Sequence, residues 1–91
     1  MSDRFIELSS ELQRALLEIG LPEEVAKLQR WIEQIRSASA LEREAAVKLI
    51  EGHCHVKAWG DLNLNVSGEG GYPVYEFLDR FRRAAREAAK R

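Results

Sequence analysis

The 91-residue sequence predicts a mainly α-helical protein, a compact four-helix bundle with an irregular crossover before the last helix. Apolar residues recur at spacings of three and four over most of the chain, which indicates helices that bury one face. Residues typical of helix starts and ends separate four such stretches. The chain is 45% hydrophobic and 32% charged, a composition typical of a globular fold. At this length one core is expected, so residues 1–91 are predicted to form a single domain.

The first two helices are predicted from their apolar stripes and from the residues between them. The first runs from Asp3 to Ile19, and Gly20 offers a left-handed stop. Pro22 suits the first position of the second helix. Trp31 is predicted to flank the apolar stripe of that helix. The residues predicted to be buried are Phe5, Leu8, Leu12, Leu16 and Ile19 in the first helix and Val25, Leu28, Ile32 and Ile35 in the second.

The third helix is predicted to begin with a capping box. Ser39 and Glu42 have the spacing at which a hydroxyl and a carboxylate each accept a hydrogen bond from the other residue's backbone N–H. Helical spacing continues to Trp59, and Gly60 could end the helix there. The predicted apolar face consists of Leu41, Ala45, Leu49, Gly52, Val56 and Trp59, with Ala46, Ile50 and His53 beside it.

The crossover contains a short segment with a different period. Leu62, Leu64 and Val66 alternate with Asn63 and Asn65, which is typical of an extended segment with one buried side. The glycines that follow indicate a turn. The pattern leaves open whether residues 61–66 form a strand or an ordered loop packed on the helices.

The fourth helix is predicted to begin near Pro73 and to end in a basic stretch. Residues 80–91 carry six basic side chains and one acidic one. Such a surface could follow phosphates, but cations are also common at the end of a helix because its dipole favours them there. The apolar face consists of Val74, Phe77, Leu78, Phe81, Ala84, Ala85 and Ala88. Glu76 with Arg80 and Asp79 with Arg83 have ion-pair spacing, which leaves Arg82, Arg86, Lys90 and Arg91 as the candidate nucleic-acid surface.

Composition narrows the class of protein. The formal net charge is −1, so there is no overall attraction to nucleic acid or to an anionic membrane. Cys54 is the only cysteine, which excludes an intramolecular disulfide and fits a reducing compartment. No stretch approaches the roughly 18 apolar residues that a membrane span needs. We therefore expect a cytoplasmic protein without a membrane partner.

His53, Cys54 and His55 suggest a metal site or an activated nucleophile, because imidazole and thiolate serve in both. On a helix the two histidines point about 200° apart and cannot share one ion. No second pair of ligands completes a shell, and nucleophile and base normally come from separate elements. We therefore expect no catalytic residue, no metal and no cofactor, and we interpret Cys54 as a small packing group.

A partner surface is predicted around the crossover, where aromatic rings and short polar groups are mixed. This composition is typical of the centre of a protein interface. Core packing explains one member, Trp59, equally well. The predicted partner-binding residues are Trp59, Asp61, Asn63, Asn65, Tyr72 and Tyr75.

The run from Cys54 to Leu62, between an amphipathic helix and a short aromatic-rich helix, resembles segments of small helical immunity proteins from bacterial toxin systems. The resemblance covers nine residues and transfers no residue roles. It implies an antitoxin-like binder that blocks a cognate toxin, often through a complementary charged surface. The leading hypothesis is thus a bacterial protein-binding module, which could also form a homodimer. The alternative is a nucleic-acid-associated regulator that uses the last helix.

Overall fold

The computed structural model describes residues 3–54, 58–59, 62–66 and 73–90. These contain four helices, α1 (Asp3–Glu18), α2 (Pro22–Ile35), α3 (Ala40–His53) and α4 (Pro73–Ala89). Each helix packs against the next, and α4 packs back against α1, so the four enclose one core. The radius of gyration is 12.3 Å, which is the value expected for a compact chain of this length. The prediction of a mainly α-helical four-helix bundle is confirmed.

The turn between α1 and α2 is built as its sequence predicts. Gly20 has a φ of 80°, and its N–H donates to the Leu17 carbonyl over 3.0 Å. The N–H of Leu21 donates to the Leu16 carbonyl over the same distance. These bonds satisfy carbonyls that the end of α1 leaves without helical partners. Ile19, predicted to be buried, is instead exposed, because it lies in this turn and beyond the last residue of the helix.

The buried stripe of α2 is rotated slightly from the predicted one. Trp31 is buried against the core, whereas Ile32 is only partly buried at its edge. The indole of Trp31 packs against the ring of His53 at the end of α3, with centroids 4.7 Å apart. On the other side of the bundle, Phe5 of α1 stacks on Phe81 of α4 with ring centroids 5.6 Å apart.

The start of α3 uses half of the predicted capping box. The Ser39 hydroxyl accepts a hydrogen bond from the backbone N–H of Glu42 at 3.3 Å. The Glu42 carboxylate, however, accepts a hydrogen bond from the Ser37 hydroxyl, and the Ser39 N–H donates to that same hydroxyl at 3.1 Å. The Ser37 hydroxyl therefore bridges the Ser39 N–H and the Glu42 carboxylate, in place of the direct hydrogen bond predicted between them.

The predicted apolar face of α3 is wrong. Ala46, Val47 and Ile50 are the buried residues of this helix, because they face α2 and α4. Leu41 is 85% exposed and Leu49 is 45% exposed. Ala45 and Gly52, on the same side as these leucines, are exposed as well. The helix is apolar on two sides, and periodicity alone does not show which side meets the core.

The prediction that α3 extends to Trp59 is also wrong, because the helix ends at His53. Cys54 follows as the C-cap and donates its N–H to the Ile50 carbonyl over 2.9 Å. Glycine, histidine and cysteine are weak helix formers, and all three occur at this end. Trp59 reaches the core from a separate turn, in which its carbonyl accepts from the N–H of Leu62. Val56 and Gly60 lie outside the described residues.

Helix α4 presents its predicted apolar face to the core, with Phe77, Leu78 and Phe81 buried. The predicted ion pairs from Arg80 to Glu76 and from Arg83 to Asp79 are present at 3.8 and 3.2 Å. None of the described helices has both the length and the apolar character that a membrane span needs.

Candidate partner-binding surface

A cleft opens on the side of the bundle where the start of α2, the end of α3 and the crossover meet. Its volume is about 330 Å³. Apolar side chains form most of its lining, while one carboxylate, one ammonium and one imidazole supply polar groups. The lining residues are Leu21, Glu24, Lys27, His53, Ala58, Trp59 and Leu62.

A hydrogen bond between α2 and the crossover fixes one wall of the cleft. Trp59 is 2% exposed, and its indole N–H donates to the Glu24 carboxylate over 2.9 Å. Lys27 donates to the other oxygen of that carboxylate over 3.0 Å. The bond from Trp59 and then the bond from Lys27 hold the pKa of Glu24 below its ordinary value. Glu24 is therefore ionised at neutral pH and held in place.

Three aromatic rings pack together behind this wall. The ring of His53 lies 4.7 Å from that of Trp31 and 5.2 Å from that of Trp59, measured between centroids. The two indoles are 6.0 Å apart. His53 Nδ1 is 3.0 Å from the Leu49 carbonyl, which can only accept, so Nδ1 carries the proton. In the neutral ring, Nε2 is then a hydrogen-bond acceptor.

The segment 62–66 beside the cleft alternates as predicted. Leu64 is buried, while Asn63 and Asn65 are exposed. Leu62 and Val66 pack partly against the core. The described residues of this segment form no strand. Arg14 of α1 donates to the Asn65 carbonyl over 3.1 Å and so ties the extended backbone to the bundle.

The predicted partner-binding residues divide into three groups. Asn63 and Asn65 are exposed beside the cleft, and Tyr75 is 43% exposed in the first turn of α4. Trp59 is a core residue that supports the cleft rather than an exposed contact. Asp61 and Tyr72 lie outside the described residues.

Sequence reasoning missed the contribution of α2 to this cleft. Leu21, Glu24 and Lys27 come from the start of that helix, and Glu24 is 35 residues from Trp59 in the chain. The only local signal at Glu24 was its position near a helix N-terminus, where a carboxylate is expected in any case. Nothing in the sequence pattern connects it to an indole in the crossover.

Cys54 has the environment of a packing group. The thiol is partly buried and packs against the core. Burial raises its pKa to about 12, so the nucleophilic thiolate is scarce at neutral pH. Among the residues that the structure describes, no three His, Cys, Asp or Glu side chains are grouped so that they could hold a metal ion. His55 lies outside those residues.

The basic end of α4 is more neutralised than the sequence predicted. Arg82 lies 2.5 Å from Asp79, and Arg86 contacts both oxygens of Glu51 on α3 at 2.9 Å. The hydrogen bond that Arg82 donates to the Asp79 carboxylate raises the pKa of this arginine. Two of the four cations predicted to lack acidic partners therefore have them. Of the other two, Lys90 is exposed and Arg91 lies outside the described residues.

Comparisons of the chain with protein-family models, with curated proteins and with solved structures give no match. The resemblance of residues 54–62 to immunity proteins stays a prediction.

Proposed function

We propose that this protein is a small binding module that acts by stoichiometric binding of a protein partner through the cleft surface. The cleft surface consists of the cleft-lining residues together with the exposed side chains of Asn63 and Asn65. The observation that carries the proposal is the open, mainly apolar cleft whose Glu24–Lys27 pair is held in place by Trp59.

The cleft surface has the composition and order that a partner site needs. Interfaces combine a desolvated apolar centre containing aromatic residues with a polar rim. Here the partly exposed Leu62 supplies apolar area, while Lys27 and Asn63 supply polar groups around it. The hydrogen bond between Trp59 and Glu24 orders the wall before a partner arrives. Less side-chain entropy is then lost on binding.

The most concrete version of this function is an immunity or antitoxin-like protein that inhibits a cognate toxin in the bacterial cytoplasm. The resemblance of the run from Cys54 to Leu62 supports it, as does the small helical fold. A toxin that acts on a charged substrate would meet the charged rim of the cleft, and such complementarity favours fast and selective binding. The proposal includes a homodimer.

The ion pairs of α4 argue against its use as a nucleic-acid surface. A guanidinium that binds phosphate must give up its carboxylate partner, and Arg86 has two contacts to Glu51. Nucleic-acid binding by the last helix remains the alternative function, and the experiment must distinguish it from protein binding. The residues predicted for it are Arg82, Arg86, Lys90 and Arg91.

Affinity capture of the tagged protein from nuclease-treated lysate of its native source tests the proposal. We expect one stoichiometric protein to survive nuclease treatment. Asn63→Arg places a large cation beside the cleft and should remove that protein, while Ser10→Arg makes the same change at an exposed position of α1 and should not. Circular dichroism and thermal unfolding should show that both variants keep the fold.

Two results would contradict the proposal. If the Asn63→Arg and Ser10→Arg variants captured the partner equally well, the partner would not bind through the cleft surface. Capture that disappears on nuclease treatment would instead support the nucleic-acid alternative.

A second variant examines another exposed residue of the predicted site, Tyr75. Tyr75→Ala should weaken capture with little loss of thermal stability if the ring belongs to the interface. A large fall in thermal stability would assign Tyr75 to the fold instead.

A further inference from the structure

The outer side of α3 carries an apolar stripe that no part of the described chain covers. The outer stripe consists of Leu41, Ala45, Leu49 and Gly52, at spacings of four, four and three. All four residues are exposed, and Leu41 is the most exposed large apolar side chain among the described residues. The stripe lies opposite the buried face of Ala46, Val47 and Ile50 and is about 16 Å long. Exposed apolar side chains that share one side of a helix form a candidate interaction surface.

We propose that the outer stripe is the contact between two copies of this chain, whose α3 helices pack antiparallel about a two-fold axis. The inference rests on the homodimer included in the proposed function and names its surface and geometry. It does not use the cleft surface, so the two sites can be tested separately.

Charge complementarity selects a second copy in this orientation. Glu44 and Lys48 lie four residues apart along one edge of the outer stripe, and both are exposed. A two-fold axis perpendicular to two antiparallel helices brings the same edge of each helix together, running in opposite directions. Glu44 then meets the partner's Lys48, and Lys48 meets the partner's Glu44. A parallel pair would join this edge to the opposite one, where Glu42 is the charged residue.

The sizes of the stripe residues fit the same arrangement. With the axis between Ala45 and Lys48, Leu41 lies opposite the partner's Gly52, and Ala45 lies near the partner's Leu49. Each large side chain therefore meets a small one, which lets the helices approach closely. A Cβ atom added at Gly52 would have no neighbour within 4 Å among the described residues of one copy. Packing within that part of the chain thus does not require a glycine here, although glycine costs helix stability.

The length of the stripe limits the affinity. One pair of helices in contact over about 16 Å buries less than the 1,200–2,000 Å² of a standard stable interface. We therefore expect a reversible dimer with a dissociation constant in the micromolar range, roughly 1–100 μM.

Sedimentation equilibrium of the purified full chain over this concentration range tests the stripe. Leu41→Lys should raise the dissociation constant at least about tenfold, because it places a charge in the apolar contact. Leu17→Lys is the matched control, since Leu17 is an exposed leucine of α1, 56% exposed, and its replacement should leave the dimer unchanged.

A charge exchange tests the orientation. Lys48→Glu places carboxylates opposite the partner's Glu44 and should raise the dissociation constant roughly tenfold, whereas adding Glu44→Lys restores complementarity and should bring the value back. Glu44 also lies 3.9 Å from Arg86, so Glu44→Lys alone provides the background effect of that change. The same exchange also restores the i,i+4 pair within one helix, which affects helix stability; rescue of the dissociation constant is therefore the readout that reports the contact between copies.

A native chain that remains monomeric throughout the range would overturn the inference. So would a dimer that tolerates Leu41→Lys, or one that Glu44→Lys fails to restore in the Lys48→Glu background. Capture of a protein partner by the Leu41→Lys variant would show that the cleft surface acts without the dimer. A dimer that persists in the Asn63→Arg variant would show the reverse.

Discussion

The indole N–H of Trp59 donates a 2.9 Å hydrogen bond to the carboxylate of Glu24, and this bond joins the crossover to the first turn of α2. The indole N–H is the one polar group of a ring that otherwise lies in the core, where a donor without a hydrogen-bond partner would be costly. The same bond holds one wall of the cleft. This one hydrogen bond therefore contributes both to the stability of the fold and to the shape of the candidate site.

The stabilising effect of Glu24 should disappear in acid. Because the folded-state pKa of this group is lowered, ionised Glu24 stabilises the fold above its ordinary pKa of 4.5, and the effect is lost as pH falls through the lower folded value. Glu24→Gln should cost about 1 kcal/mol at pH 7, allowing for partial exposure, and almost nothing at pH 2. Urea unfolding at the two pH values measures the difference.

Glu23→Gln is the control, because Glu23 lies in the same first turn of α2 and is exposed. It loses the same favourable charge near the helix dipole, whereas Glu24→Gln also loses the charge of the group that accepts from Trp59, although the glutamine carbonyl can still accept the indole N–H. If the two variants showed equal losses with equal pH dependence, the helix dipole would explain the effect of Glu24, and its charge would add nothing to the bond to Trp59.

Replacement of the Ser39 cap should destabilise α3. In Ser39→Ala the N–H of Glu42 loses its acceptor, and the expected cost is about 1 kcal/mol in the free energy of unfolding. Ser10→Ala, within α1 and exposed, should change stability by no more than about 0.5 kcal/mol. Chemical unfolding of both variants gives the comparison, and an equal effect would deny Ser39 a capping role.

The pair of Arg86 and Glu51 should contribute to the packing of α4 on α3. Both guanidinium contacts to the carboxylate are 2.9 Å, but the two side chains are partly exposed, so Arg86→Ala should cost only about 1 kcal/mol. Arg83→Ala removes an exposed arginine that pairs within α4 and should cost less than about 0.5 kcal/mol. Thermal unfolding, measured at low and at high salt, should show a larger loss of stability for Arg86→Ala than for Arg83→Ala.

The Cys54 thiol should be unreactive in the native protein. With a pKa of about 12, roughly one thiol in ten thousand is ionised at pH 8, and the side chain is partly buried as well. A chromogenic disulfide reagent should therefore react slowly in buffer and at once in denaturing urea. Rapid reaction of the folded protein would revive the hypothesis of an activated nucleophile.

Local features of the bundle were predictable because each depends on a few neighbouring residues. Gly20 adopts the left-handed conformation that ends α1, Pro22 begins α2, and Ser39 caps α3. The alternation of Leu64 between Asn63 and Asn65 also reads directly as a buried side and an exposed side. Backbone sterics and short-range hydrogen bonds decide these features before any distant contact forms.

The candidate site was only partly predictable. Asn63, Asn65 and Tyr75 are exposed, so they can contact a partner, whereas Trp59 is not exposed. The α2 residues Glu24 and Lys27 could not be foreseen, because their link to the crossover arises only when the chain folds back on itself.

The sequence by itself determined four amphipathic segments, most of their limits and the character of the crossover, since periodicity and capping are local properties. Tertiary structure decided which of the two apolar sides of α3 meets the core. It also decided that Trp59 pairs with Glu24 and that Arg86 pairs with Glu51. The physical reason is that burial and long-range pairing depend on how several helices pack into one core. The spacing of residues along a single helix does not determine that packing.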